Sequence, residues 1–183
     1  ARKVSTLSSF YKFLSTKTLY ITENPIRNLD RPAIKRALPK YLTLEESNDL
    51  LEITDSHHNA RDYCMLTLFL NCGMRLSELV AINRTDVRDD NTLKLLGKGN
   101  KERVVYLNEA CRDAINVYLE DSKKLKRKND ALFVGRNGQR LSPRRVEQII
   151  GECLKNAGLS GKGYTPHKLR HTAATLMYQY GNV

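Results

Sequence analysis

The chain has 183 residues, 40% of them hydrophobic and 28% charged, which suits one globular domain with a core and a small appendage. Its 31 Lys+Arg against 20 Asp+Glu leave a net charge of +11, the footprint of a nucleic-acid binder, although ribosomal and membrane-surface proteins also run basic. No apolar run reaches the roughly 18 residues of a membrane span and no signal-peptide pattern is visible. The four cysteines (Cys64, Cys72, Cys111, Cys153) lack CxxC spacing and argue against a disulfide framework or a zinc site. A reducing cytoplasm is the expected setting.

In chain order, Val4, Leu7, Phe10, Tyr11 and Leu14 recur at helical spacing and predict an amphipathic helix over residues 1 to about 17. Residues 24–42 hold three prolines and five basic side chains without periodicity and read as an extended basic linker. Thr43 and Glu46 form a capping-box signature that starts a helix through about Thr54. Residues 59–71 are apolar nearly all round and predict a buried helix ended by Gly73, with another beginning in RLSELVAI. TLKLLGKGNKERVVYL predicts a β-hairpin, and Asn108 caps a helix running to the basic tail KKLKRK. ALFVGRNGQRLS predicts a second short hairpin turning at Asn137-Gly138. Ser142-Pro143 opens a helix closed by Gly158, and Thr165-Pro166 opens the last one. The sum is an α+β domain, mostly helical, with one small sheet.

Three stretches carry chemistry. In TPHKLRHTAATLMYQY, Leu169, Ala173, Leu176 and Met177 form the core stripe, while His167, Arg170, His171 and Ala174 share another face. Basic groups are misplaced at a helix N-terminus unless an anion sits among them, and free N–H groups with His and Arg make a phosphate site. In NCGMRLSELVAI, Arg75 lies between apolar segments and needs a partner. Either it forms an internal salt bridge with Glu78, or it points its planar fork at a phosphate while Glu78 orients a neighbouring base. In LGKGNKER, glycines at 97 and 99 let the backbone come close to a ligand, so Lys98 is placed to meet a phosphate or protonate a leaving oxygen. A solvent-exposed lysine is the plain alternative, and the GxxxxGK[ST] spacing of a Walker loop is absent.

Taken in order, GMRLSEL, GKGNKER and PHKLRH resemble the tyrosine recombinases and integrases, most of all the bacterial Xer-type site-specific recombinases. The resemblance covers residues 40–183. It implies the family's catalytic domain over 43–183, the linker over 24–42, and over 1–23 the end of the helical core-binding domain. It implies that Arg75 and Arg170 clamp the scissile phosphate, that Lys98 protonates the departing 5′-hydroxyl, and that His167 assists proton transfer. Glu78 and His171 would support the site from behind. Strand cleavage would run through a 3′-phosphotyrosine link, with neither metal nor other cofactor required. The partners implied are double-stranded DNA and further recombinase protomers, four on paired sites.

The pattern breaks at the nucleophile. The family carries its tyrosine well beyond the HxxR helix, so it is expected past Val183, and this stretch alone is expected not to cleave DNA. Tyr178 and Tyr180 lie two or three turns from Arg170, about 12–15 Å along the axis, and are rejected as substitutes. Tyr180 is expected near the core stripe. Lys35, Arg36 and Lys40 in the linker and Arg144 and Arg145 at a helix start are candidate DNA-backbone contacts, with surface solubility as the alternative for each. The competing reading of the whole is a non-catalytic DNA-binding or regulatory module of the same fold.

Overall fold

The computed structural model describes the chain except for residues 1, 19, 28, 30–39, 58, 98, 100, 182 and 183 and the Arg2 side chain. It divides into two units, Ala1–Leu38 and Pro39–Val183. The first holds α1 (Arg2–Phe13), which runs on into a π-helical turn, Leu14–Thr18. Leu7, Phe10 and Phe13 of α1 are exposed within this unit.

The second unit is built around one helix. Thr43 caps α2 (Leu44–Ser56): its side chain accepts from the Glu46 N–H, and the Glu46 carboxylate accepts from the Thr43 N–H. Next comes α3 (Ala60–Cys72), whose residues from Cys64 to Leu70 are all buried. Such a helix needs neighbours on every side, and it has them in α2, α5 (Glu109–Asp121), α6 (Pro143–Asn156) and α7 (Pro166–Tyr180). Gly73 ends α3 in the left-handed region at φ 54°, where a side chain would be strained, and turns the chain into α4 (Leu76–Ala81).

Strands β1 (Thr92–Leu96) and β2 (Glu102–Tyr106) pair antiparallel, with Thr92 opposite Tyr106 and Leu96 opposite Glu102. Period two puts Leu93 and Leu95 of β1 into the core. On β2 the same face carries Arg103 and Val105. The far side of the core is closed by Tyr118 stacked on Phe133, ring centroids 5.4 Å apart, with the phenol oxygen accepting the Val134 N–H.

The expected second hairpin is reduced to a single bridge between Val134 and Arg140. The turn is present, with Gly138 at φ 74° and the Lys126 carbonyl so close that no Cβ would fit. Its return limb stays beside the outgoing one, the Gly135 N–H donating to the Gln139 carbonyl and the Leu141 N–H to the Phe133 carbonyl, while the Arg140 guanidinium donates to the carbonyls of Val80 and Ile82 and to Asn83 Oδ1. The Val80 carbonyl lies in the last turn of α4, and the Ile82 carbonyl, just past its end, also accepts the Leu132 N–H. Ala131, just before the hairpin, also bridges to Asn83.

The core stripe of α7 also stops early. Leu169, Thr172 and Ala173 are buried, but Met177 and Tyr180 are exposed, contrary to the expected place of Tyr180 beside the core. Helical periodicity continues past Ala173, but among the described residues no element covers those last turns. No helix among the described residues is long and apolar enough to cross a membrane.

Candidate functional site

Glu78 organises the site. It stands at the third position of α4 with its side chain fully buried, and so reaches back to the start of its own helix. Its Oε2 accepts the Arg75 N–H at 2.7 Å, and its Oε1 accepts Arg75 Nη1 at 2.8 Å. Arg103 on β2 donates Nη2 to Oε2 at 2.9 Å, and Arg170 Nη1 lies 3.9 Å from the same oxygen. Burial works to raise the Glu78 pKa, but the hydrogen bonds from Arg103 and Arg75 overcome it and hold the carboxyl below its ordinary range.

One negative charge thus faces three positive ones. Arg170 is anchored by the Gly73 carbonyl, at 2.5 Å from Nη1, which ties α7 to the end of α3. Burial and then the repulsion of Arg75 pull its pKa down from the usual value. The uncompensated positive charge opens outward: Arg75, Arg170 and His167 together line a cavity of about 440 Å³, with Ser77, Glu147 and Thr165 on its walls. Arg75 keeps 53% of its side chain exposed and Arg170 keeps 30%, so both guanidiniums are anchored on one side and free on the other. Arg75 is thus salt-bridged to Glu78 and also borders the cavity.

The N-terminus of α7 completes that wall. Thr165 caps it, accepting the Lys168 N–H, and Pro166 occupies the first position, where no N–H is needed. His167 and His171, one turn apart, bring their Nε2 atoms to 3.2 Å with rings edge to face. The helix is held in place from behind by Thr172, whose Oγ1 accepts the Leu42 N–H, and by a latch at its entry. There Tyr164 donates its phenol to Glu46 at 2.9 Å, and Lys162 pairs with the same carboxylate.

Lys98 lies outside the described residues, as do Lys35 and Arg36. Its neighbour Gly97 is described: a methyl group there would stand 3.5 Å from Glu78 Oε1, so the start of the hairpin turn reaches the same carboxylate. Lys40, Arg144 and Arg145 are exposed and do not line the cavity. Arg145 reaches Gln148 and Glu152, both at 3.4 Å. A larger cleft of about 700 Å³ beside it contains Arg61, Arg136 and Arg140, but Arg61 is paired with Asp62 and Arg140 is spent on α4. Neither Tyr178 nor Tyr180 borders the site, and both are exposed. Among the described residues no cluster of three or more His, Cys, Asp or Glu could hold a metal ion.

Arg103 is the residue that sequence reasoning missed. The available signal was a cation on the inward face of a half-buried strand, where unpaired charge is costly.

The phage integrase family profile matches residues 40–182, within the second unit. Over 184 positions the chain is 50% identical to the tyrosine recombinase XerC of Caldanaerobacter subterraneus subsp. tengcongensis, covering 100% of this chain and 52% of that relative. The chain thus spans about half the length of that relative. Among solved structures, XerA recombinase superimposes with a TM-score of 0.74 at 28% identity, over 98% of this chain and 70% of that one. XerH site-specific recombinase, bound to a palindromic difH substrate in a post-cleavage complex, gives a TM-score of 0.73 at 26% identity, over 87% of this chain and 48% of its own. With a family match across most of its length and relatives this similar, the chain belongs to the phage integrase family, the tyrosine recombinases.

Proposed function

We propose that this chain supplies the phosphate-binding catalytic domain, over residues 43–183, of a site-specific DNA recombinase that cleaves and rejoins strands through a 3′-phosphotyrosine intermediate. The observation that carries the reading is the excess of guanidinium over carboxylate at Glu78, with Arg75, Arg170 and His167 opening into one cavity. A phosphodiester under attack gathers negative charge on its equatorial oxygens. Two fixed guanidiniums aimed at that charge stabilise it without a metal ion, each donor contributing roughly 3–4 kcal/mol in comparable oxyanion sites. Glu78 is the positioning group: it holds Arg75 and Arg103 in place before substrate arrives, so little reorganisation remains for the reaction itself.

His167 is proposed to move a proton at the phosphate, because imidazole exchanges protons near neutral pH and guanidinium does not. His171 orients it through the Nε2 contact. Lys98 is proposed as the acid for the departing 5′-hydroxyl; support comes from Gly97, which stands beside Glu78. The nucleophilic phenol is proposed to come from outside this stretch, since no described tyrosine lines the cavity. Double-stranded DNA as partner is supported by the XerH relative in its complex with a DNA substrate. Association with further protomers on paired sites, and the division into residues 1–23, 24–42 and 43–183, belong to the same reading.

The test is duplex binding by the 183-residue chain, measured by fluorescence anisotropy across a salt series. Binding should fall steeply with salt, with a log–log slope of about −0.9 per phosphate neutralised. Arg170→Ala and Arg75→Ala should each weaken it, and a parent protein including the tyrosine should form a denaturant-stable adduct on a nicked duplex. Salt-independent binding, or an adduct that survives Arg170→Ala, defeats the proposal.

A further inference from the structure

Behind the arginine site lies a pair of thiols that phosphate chemistry does not use. Cys72 is the last residue of α3 and half-buried; Cys111 is buried in the first turn of α5. Their sulfurs stand 3.9 Å apart, and a second contact, Asn108 Nδ2 to Asn71 Oδ1 at 2.8 Å, holds the two helix ends together. Cys72 is joined directly to Gly73, whose carbonyl anchors Arg170, and it stands three residues before Arg75. Arg103, which holds Glu78, is close enough to act on the Cys72 thiol electrostatically, and its own Nε is buried with no hydrogen-bond partner.

We propose that Cys72 and Cys111 form a reversible dithiol–disulfide pair, oxidised by hydrogen peroxide or an organic peroxide, and that closing the disulfide disables the arginine site.

The chemistry divides between the two thiols. The contact with Cys111 and the nearby Arg103 pull the Cys72 thiol down against the opposing effect of burial, whereas the contact with Cys72 and burial push the Cys111 thiol up. Cys72, half-buried where Cys111 is fully buried, is the thiol that a peroxide reaches, and so it is the attacking group and Cys111 the resolving one. The Cys72 thiolate attacks the peroxide, an S–O bond forms, the O–O bond breaks, and the leaving hydroxide (alkoxide for an organic peroxide) takes up a proton. The Cys111 sulfur then displaces hydroxide from the Cys72 sulfenic acid, an S–S bond forms, and the Cys111 proton leaves with the hydroxide as water. Two thiols are oxidised by two electrons, one hydrogen peroxide is reduced to two waters (an organic peroxide to an alcohol and one water), and a thiol reductant reverses the change. The buried Cys64, whose thiol burial pushes up, takes no part.

The effect on the site follows from geometry. A disulfide needs its sulfurs at about 2.05 Å, so Cys72 must move toward α5. Gly73 moves with it, and Arg170 loses the carbonyl that sets its angle to the cavity. This functional half rests on the phosphate-site reading given above.

The 183-residue chain is treated with hydrogen peroxide, then analysed by thiol titration, non-reducing peptide mapping and duplex binding. The expected result is a fall from four free thiols to two, a linked Cys72–Cys111 peptide pair, and full reversal by dithiothreitol. Duplex affinity should fall about tenfold on oxidation, the equivalent of one charge-assisted hydrogen bond. Cys111→Ser should bind duplex like the reduced parent and be insensitive to peroxide, and Cys72→Ala gives an independent variant with the same expectation. Four remaining thiols, oxidation of Cys72 without linkage, or a linkage to Cys64 overturns the proposal. Linkage with unchanged affinity overturns the control of the site. Failure of the reduced chain to bind duplex removes the phosphate reading and that control with it, and peptide mapping still decides the disulfide.

Discussion

Glu78 shows how much of this site depends on one carboxylate. Its two oxygens bind Arg75 and Arg103 and lie within reach of Arg170, and no water competes because the side chain is fully buried. Replacing it with a neutral amide of the same shape leaves three cations repelling one another around a buried dipole. Glu78→Gln is expected to lower unfolding free energy by about 3 kcal/mol, the scale of breaking a buried ion pair, as read by urea denaturation. The same variant should weaken duplex binding although Glu78 itself meets no phosphate, because Arg75 loses its orientation. Unchanged stability would mean that the guanidiniums find other anchors. The pairing of Arg75 with Glu78 was visible in sequence because helical spacing puts the two one turn apart. The third arginine was not, since Arg103 is 25 residues away from Glu78 and only strand register brings it inward.

At the scale of elements, caps and turns reproduce what local sequence implies. Thr43, Asn108, Ser142 and Thr165 each accept a backbone N–H at the start of their helix. The second hairpin closes locally through its Asn137-Gly138 turn, and Arg140 adds a non-local tie by donating to carbonyls at the end of α4. The latch between α2 and the entry to α7 is likewise non-local, joining Glu46 to Tyr164 and Lys162. Burial, and then the hydrogen bond to Glu46, push the Tyr164 phenol from 10.0 up to about 12. A raised pKa means that the fold favours the protonated phenol. Its contribution is complete below pH 10 and is lost as pH rises through about 12. Tyr164→Phe should cost about 1 kcal/mol at neutral pH by denaturant midpoint, and that difference should shrink between pH 10 and 12. A constant difference across that range would show that the phenol does not titrate with the latch intact.

For the second unit as a whole, acid is the vulnerable side. Glu46 and Glu78 are held below their ordinary 4.5, Glu46 by Lys162, Thr43 and Tyr164 against the opposing effect of burial. Asp130 is held below 3.8, first by the Thr85 hydroxyl and then by Arg84. Depressed carboxylates contribute stability that is present above their unfolded values and lost as pH falls through the folded ones. Thermal unfolding should therefore be steady from about pH 5 upward toward neutrality and drop below pH 4.5. Glu78→Gln should flatten that drop, and an acid limb unchanged in this variant would deny Glu78 its share. A net charge of +11 adds self-repulsion as those carboxylates are neutralised.

Sequence alone determined the local grammar of this protein. Capping residues, the buried period of α3, the glycine after it and the β1–β2 turn follow from backbone sterics and from apolar spacing within a few residues. Those same short stretches hold Arg75, His167 and Arg170. Tertiary structure decided which of them share a charge. Glu78 can gather Arg75, Arg103 and Arg170 only after α3 has been surrounded by its neighbours and β2 has turned its odd-numbered residues inward. Coulomb attraction acts through space, so a carboxylate's partners are set by packing and not by distance along the chain.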